Sequence, residues 1–536
     1  MPRENLQSLF TDFAKYARDI AITQSRGYRR ESWTYAKLQR QSINFALLLK
    51  QKQITTGDRV LMWAPNSAEW LAAFWGIILR GAVAVPMDDT ATKEFATTVA
   101  TQAAVKLIVK SVNHPDLDAT IPTLDMSVLS DTPNPGPSLP PPESLADQPI
   151  ARSHLAQILF TSGTTSGPKG VLLTHGNFLA NLEPLEKGIA PYRKYERWFH
   201  PLRFVSLVPL SHVFGQFMTL LVPPLLGATI IFESSNNPRD ILHAIKKQRA
   251  TALVAVPRIL DLLRNHLEQN ASANFSKIFA GAAQEKFLHR AWLFRKIHNK
   301  FGWKFWAFIC GGAALPADTE DFFKRLGYAV VQGYGMTETA SLISLNHPFR
   351  ATQGSIGKIL PGRQFKLAED GEILVRGENA SSGYWQNPAT ENHPPANPIE
   401  ENDGWLRTGD LGELDPAGNL RFLGRKKNVI VSSSGLNVHP EDLEAALGKQ
   451  PQIRDVVVFP LARESSANPA VVATGFRPSS VPAAKPSQEN AEPCAILLLN
   501  PTASDPRETA EVVAAANATL ADHQQIRTWL IWPDPD

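Results

Sequence analysis

Only two of the 536 residues are cysteines, Cys310 and Cys494. Two thiols build neither a disulfide framework nor a cysteine metal cluster, and they suit a reducing, cytoplasmic setting. A surplus of one charge is missing too. Lys and Arg number 54 against 51 Asp and Glu, a formal net charge of +3, which argues against a nucleic-acid footprint. The N-terminal stretch MPRENLQSLFTDF has no apolar signal core. Long uncharged runs are scarce. The exception is residues 214–232, nineteen in number, which is long enough to span a bilayer. Pro223-Pro224 in its middle would break a spanning helix, because proline lacks the backbone donor and clashes with the preceding turn. The expectation is a buried helix, a turn at the prolines and a buried strand over 228–232.

What is present is alternation. Apolar β-branched runs are followed by amphipathic helical patterns through roughly the first four hundred residues. Residues 59–63 read as a strand, 68–80 as a helix and 82–86 as a strand. Residues 252–256 and 258–266 repeat the pair. This predicts an α/β protein of layered, largely parallel sheets. A chain this long needs several domains or subdomains. A smaller α+β domain is expected from Arg425, dividing the chain into 1–424 and 425–536. Its elements are strands at 428–431, 455–459 and 495–499 and helices at 440–447 and 507–521. The first helix carries proline near its start and Glu441-Asp442 in its first turn, as the helix dipole favours. Residues 131–149 and 477–493, rich in Pro and Ser, read as linkers.

The densest chemistry lies in TSGTTSGPKG, residues 161–170. Five hydroxyls, three glycines and Lys169 sit between the apolar runs ILF and VLL. That reads as strand, polar loop, strand. Glycines let backbone N–H groups approach an anion closely, so the ligand suited to this loop is a polyphosphate; the plain alternative is a turn-rich hairpin. The order G-x-x-x-x-G-K-[ST] is absent, so this is not a P-loop. A second motif, QGYGMTE at 332–338, places Tyr334, Thr337 and Glu338 within five residues, equipped to stack a purine, bond a phosphate and hold Mg²⁺; taken alone it is a generic strand-end loop. In WLRTGD, Asp410 offers a carboxylate that can accept from two ribose hydroxyls, or else marks a surface turn. GRKK at 424–427 alone is a solvated basic turn. PLSHVFG sets His212 among apolar neighbours, where a lone histidine is more often a satisfied core residue, and CGGAALP follows a strand at 305–309 with small residues that leave space for a ligand or for close packing. The segment from Lys286 to Trp306 is basic and aromatic, with Phe287, Trp292, Leu293, Ile297 and Phe301 on one helical face. Such a face packs on a core or lies on an anionic membrane.

The sixteen residues FTSGTTSGPKGVLLTH resemble the phosphate-binding signature of the adenylate-forming enzymes: acyl- and aryl-CoA synthetases, nonribosomal peptide adenylation domains and luciferases. The other motifs resemble that family in series, over essentially the whole chain. The resemblance implies a large N-terminal adenylation domain of layered α/β subdomains and a small mobile α+β C-terminal domain. It assigns Thr161, Ser162, Gly163, Thr164, Thr165 and Lys169 to the phosphates of ATP. Gln332, Gly333, Tyr334, Gly335, Met336 and Thr337 would line the nucleotide, with Tyr334 on adenine, Thr337 on the α-phosphate and Glu338 on magnesium. Asp410 and Arg425 would bind ribose, and Lys427 would be the pivot of the small domain. Gly311, Gly312 and Ala313 would border adenine and the acyl chain, and His212 would orient the substrate carboxylate. Lys169, Thr337, Glu338 and His212 form the expected catalytic set.

VPRIL at 256–260, GSIGKILPG at 354–362 and the basic aromatic insertion resemble long-chain fatty acid–CoA ligases. The implied reaction joins a medium- or long-chain fatty acid to coenzyme A, using ATP and Mg²⁺. The cysteine usage points to the cytoplasm, and the basic aromatic face of 286–306 leaves peripheral membrane contact open beside plain core packing. Two alternatives stay open. One is transfer to an acyl carrier protein. The other is a nucleotide-binding pseudoenzyme, because the family's C-terminal lysine in Pro-x-x-x-x-Gly-Lys has no counterpart before Asp536, as though the small domain lacked its last segment.

Overall fold

The computed structural model describes residues 3–118, 120–131, 139–161, 168–194, 200–271, 275–282, 287–348, 352–386, 404–431, 437–462, 491–500 and 506–532. The chain divides into two compact units. The first is 1–366, 374–407 and 414–421; the second is 367–373, 408–413 and 422–536. The fold is mixed α/β, with a large sheet-rich N-terminal part and a smaller C-terminal one.

Two sheets build the first unit. One has six strands in the order Thr123–Asp125, Leu107–Lys110, Arg59–Trp63, Val83–Met87, Leu155–Thr161 and Lys169–Thr174. Its strands run parallel until the last, which turns back antiparallel as a hairpin. The other has nine strands. Its centre is six parallel strands: Ala329–Tyr334, Ala307–Cys310, Ala252–Ala255, Arg203–Ser206, Thr229–Phe232 and Ile20–Arg26. Parallel strands need crossover helices on their faces, and the alternating sequence supplies them. The helix Ala68–Arg80 is buried along its whole length, the behaviour of a helix apolar on every side. Ser67 caps its start, accepting from Trp70 N, and Gly81 ends it in the left-handed region at φ 72°. It packs so tightly on the helix Tyr35–Gln51 that a Cβ on Gly76 would lie 2.8 Å from the carbonyl oxygen of Ser42.

Three expectations need correction. The prolines at 223–224 do not make a turn. Helix continues through Val213–Gln216, a π-helical stretch Phe217–Leu221 and Val222–Leu226. The prolines occupy the first turn of the last piece, where a missing donor costs little, and the wider π turn precedes them. Gly227, at φ 58°, then ends the helix before the strand Thr229–Phe232. No helix among the described residues is long and apolar enough to cross a membrane. The basic aromatic segment is not one helix. It breaks at Phe294 into Phe287–Leu293 and Arg295–Phe301. Ile297 and Phe301 are buried, whereas Trp292 is 59% exposed, so they share no face. The strand expected at 428–431 shrinks to Ile430–Val431, because Lys426–Asn428 is a 3-10 turn.

The second unit contains a three-stranded sheet of Ile453–Ala462, Ala491–Leu499 and Thr528–Ile531. Helices Pro440–Gly448 and Pro506–Asn517 supply Leu443, Leu447, Val512 and Val513 to its core, with Ile430 and Leu497. A further sheet has four strands in the order Arg363–Leu367, Glu372–Gly377, Leu406–Leu414 and Leu420–Arg425.

One buried group makes stability depend on pH. His175 opens the helix His175–Ile189 behind a capping box of Thr174 and Asn177. It is fully buried, and its Nδ1 accepts from Leu6 N at 3.2 Å. Burial, aided by His154, pushes its pKa down to about 3. The unfolded chain therefore takes up this proton first, near pH 6.5. The group's contribution is complete above that pH and declines as pH falls toward 3, by up to about 1.4 kcal/mol per unit. His175→Asn, which keeps an acceptor for Leu6 N, should flatten the dependence of unfolding midpoints between pH 6.5 and 5. A slope unchanged by the substitution would show that this imidazole is not its source.

Candidate active site

The hairpin that carries the polar loop is held by strand register. Thr161 stands opposite Lys169, and its Oγ1 is 3.5 Å from the Lys169 carbonyl. Ser162, Gly163, Thr164 and Thr165 lie outside the described residues. Lys169 is exposed at the start of its strand.

A distant segment closes on this strand. Val171 bridges Tyr384 in antiparallel register. Trp385 N donates to Gly170 O at 2.6 Å, and Leu172 N to Gly383 O at 3.0 Å. Ser381 Oγ donates to Leu172 O at 2.8 Å. The same segment reaches the QGYGMTE motif, where Ser381 N donates to Glu338 O at 2.7 Å. The Tyr384 hydroxyl donates to Glu338 Oε1 at 3.0 Å, and Lys169 Nζ lies 5.6 Å from the centre of the Tyr384 ring. Burial first, and the Glu338 carboxylate second, push the phenol above its ordinary value. It therefore donates as a neutral hydroxyl.

The QGYGMTE motif begins in the last three residues of the strand Ala329–Tyr334 and runs into the 3-10 turn Thr337–Thr339. Gln332 pairs with Cys310 across parallel strands, and Gly333 pairs with Leu345. Thr339 Oγ1 accepts from Met336 N at 3.1 Å. Ala340 and Ser341 take positive φ values of 50° and 103°. Buried Asn181 holds this turn, donating to the carbonyls of Thr339 and Ala340, both at 2.8 Å. Gly311 follows the strand Ala307–Cys310 and lies against the ring of Phe214, where a Cβ would come within 2.9 Å; Gly312 has φ 87° and open space around it. Gly312 and Ala313 are exposed.

His212 is 69% exposed, with Nε2 3.9 Å from Asp88 Oδ2. Ser211 Oγ donates to the same carboxylate oxygen at 2.8 Å. Burial opposes the charge on Asp88, but hydrogen bonds from Thr90 and Ser211 and the nearby His212 hold its pKa below the usual carboxylate value. His212 thus sits beside a standing anion.

In the second unit, buried Asp410 lies 2.9 Å from Arg425 Nη1. Its N–H donates to Thr408 Oγ1 at 3.1 Å. Glu372, also buried, accepts from Gly409 N at 3.1 Å and from Lys426 Nζ at 2.9 Å. Lys426 also meets Asp370 at 2.5 Å, and these two carboxylates raise its pKa. Lys427 lies in the 3-10 turn Lys426–Asn428.

Sequence reasoning missed Tyr384, Asp88, Asn181 and Glu372. The signal for Tyr384 was a lone aromatic pair after glycine; for the others there was none at short range. Among the described residues no group of three or more His, Cys, Asp or Glu is arranged to hold a metal. A single carboxylate such as Glu338 fits a hard cation that keeps its waters and is held largely by phosphate oxygens, the habit of Mg²⁺.

The family model for AMP-binding enzymes matches residues 9–385. A long-chain-fatty-acid–CoA ligase, FadD15 of Mycobacterium bovis, is 30% identical over 91% of this chain and 84% of its own length. A feruloyl-CoA synthase of Amycolatopsis is 28% identical over 80% of each chain. The solved o-succinylbenzoate CoA synthetase (MenE) of Bacillus subtilis, in complex with its acyl-adenylate intermediate, superposes with a TM-score of 0.73. It is 21% identical, with 99% of this chain and 95% of that one covered; at that identity the likeness is one of fold.

Gly335 offers a direct check on the QGYGMTE turn. A Cβ there would lie 2.1 Å from the Ser341 carbonyl oxygen and 2.6 Å from its carbon. Both are backbone atoms, so the turn must move. Gly335→Ala should cost about 1–3 kcal/mol of stability and weaken ATP binding, read by thermal denaturation and calorimetry. An unchanged midpoint and affinity would mean that the turn yields without consequence.

Proposed function

This chain belongs to the AMP-binding enzyme family and is an acid–thiol ligase; we propose that its acid is a medium- or long-chain fatty acid and its thiol coenzyme A. In the first step a carboxylate oxygen of the acid bonds to the α-phosphorus of ATP as the bond to pyrophosphate breaks. In the second, the thiol sulfur bonds to the acyl carbon, the acyl–oxygen bond to AMP breaks, and the thiol proton passes to solvent. Lys169, Thr161 and the loop residues Ser162, Gly163, Thr164 and Thr165 are proposed to hold the phosphates, where charge shifts as pyrophosphate departs. Tyr334 would carry the adenine ring, bordered by Gln332, Gly333, Gly335, Met336 and Gly311 to Ala313. Thr337 would donate to the α-phosphate. Asp410 and Arg425 are proposed for the ribose hydroxyls, and His212 for the acid's carboxylate. Magnesium, held by Glu338, would neutralise phosphate charge.

The observation that carries this reading is a cation and a carboxylate, Lys169 and Glu338, brought from two separate motifs to one tyrosine. The choice of a fatty acid is supported by the 30% identity to a long-chain ligase over most of the chain. An aryl acid is the second reading, supported by the feruloyl-CoA synthase relative. Two buried cysteines with no disulfide suit a cytoplasmic setting. Peripheral contact with an anionic membrane belongs to the same proposal. Trp292 and Trp303 are exposed, with Arg295 4.8 Å from the Trp292 ring centre and Lys304 5.3 Å from that of Trp303.

Mass spectrometry of products from ATP, CoA and a panel of fatty acids with ferulate should find medium- or long-chain acyl-CoA. Feruloyl-CoA alone would favour the aryl reading. Acyl-AMP accumulating with CoA, but consumed by an acyl carrier protein, would move the thiol to that carrier. Lys169→Ala should slow acyl-AMP formation on the order of 10²-fold and thioester formation from supplied acyl-AMP much less; equal losses would refute this division. Co-sedimentation with anionic but not neutral vesicles is expected, and its absence would remove the membrane contact.

A further inference from the structure

Lys169 and Glu338 carry opposite charges and meet the same side chain, yet among the described residues they form no ion pair with one another. Tyr384 meets both. Its hydroxyl donates to one oxygen of Glu338 at 3.0 Å, and its ring is 5.6 Å from Lys169 Nζ. A phenol cannot neutralise either charge. It satisfies one carboxylate oxygen and leaves the other available to a cation or water. Its π face attracts an ammonium weakly while leaving the N–H donors for an anion.

The placement of Tyr384 does not depend on that chemistry. Backbone hydrogen bonds from Trp385 N to Gly170 O and from Leu172 N to Gly383 O fix the segment on the Lys169 strand. Ser381 N to Glu338 O fixes it on the other motif. A tyrosine side chain delivered there by main-chain bonds is in place before any ligand arrives. The carboxylate and the ammonium are then oriented in advance, which avoids an ordering cost on binding.

We propose that Tyr384 is a positioning residue that holds Glu338 and Lys169 apart and aimed, so that the carboxylate stays available to the divalent cation and the lysine to the phosphates. The proposal rests on the functional reading of those two residues. It predicts a separation of effects. Tyr384→Phe keeps the ring and the spacing but removes the hydroxyl, so only the Glu338 side should suffer. Tyr384→Leu removes the ring as well, so Lys169 is no longer held off Glu338.

The test is binding rather than turnover. Mn²⁺ binding to the protein–ATP complex is measured by electron paramagnetic resonance with no acid present, and ATP binding without divalent cation by calorimetry. Tyr384→Phe should weaken Mn²⁺ roughly 3–10-fold, the worth of one lost hydrogen bond, and leave metal-free ATP affinity unchanged. Tyr384→Leu should weaken both. Glu338→Gln and Lys169→Ala are measured alongside. If Glu338→Gln leaves Mn²⁺ binding intact and Lys169→Ala leaves ATP binding intact, the functional reading of those residues fails. If those variants lose binding while Tyr384→Phe keeps wild-type Mn²⁺ affinity, the positioning role is wrong. Equal losses of Mn²⁺ and metal-free ATP in Tyr384→Phe also overturn it, since they indicate general disturbance. Should Tyr384→Leu fail to fold, the phenylalanine variant decides alone.

Discussion

Main-chain pairing between residues 170–172 and 383–385 is the contact on which the arrangement of the candidate site in the first unit depends. It joins segments more than two hundred residues apart. Without it the strand Lys169–Thr174 would be a bare edge of the six-stranded sheet, with no main-chain tie to Glu338. With it, the exit strand of the loop gains a further partner, whose own backbone is tied to Glu338. Backbone amides and carbonyls are strong, obligatory hydrogen-bonding groups, so this lacing specifies position in a way that long side chains alone cannot. Tyr384 rides on that lacing, and the two charged groups are arranged around it.

The turn bearing Thr337 and Glu338 is supported in a complementary way. Ala340 and Ser341 adopt positive φ values, which are costly for residues with a Cβ. Asn181 holds the carbonyls on either side of the step from Thr339 to Ala340, and Arg363 Nη1 donates both to the Asn181 side chain at 3.0 Å and to Leu342 O at 2.6 Å. Backbone strain in a polar loop persists only where its surroundings over-determine it. In the second unit Glu372 plays a comparable part beside Asp410, anchoring the Gly409 amide and the Lys426 ammonium with one buried carboxylate.

Much of the layered architecture was legible in the sequence. Alternation of apolar runs with helical patterns leads directly to the parallel strands around Arg59–Trp63 and Ala252–Ala255. What was not legible lay in longer-range effects. Pro223-Pro224 looked like a break because a local rule ignores the π turn that precedes it. The aromatic segment looked continuous because helical spacing does not reveal the break at Phe294. The candidate site's residues were visible as motifs, each read within ten or so residues. The groups that locate them were not: Tyr384 matters because of what pairs with its backbone, and Asp88 because a strand end brings it to Ser211 and His212. Such residues announce nothing by composition or period.

On the proposed function, these motifs together activate a fatty acid by joining its carboxylate to AMP, before any thiol takes part. Exchange of labelled pyrophosphate into ATP measures that step alone. With no CoA present, exchange should require Mg²⁺ and a medium- or long-chain fatty acid. Absence of exchange with every fatty acid tested, or exchange that proceeds without any acid, would contradict it.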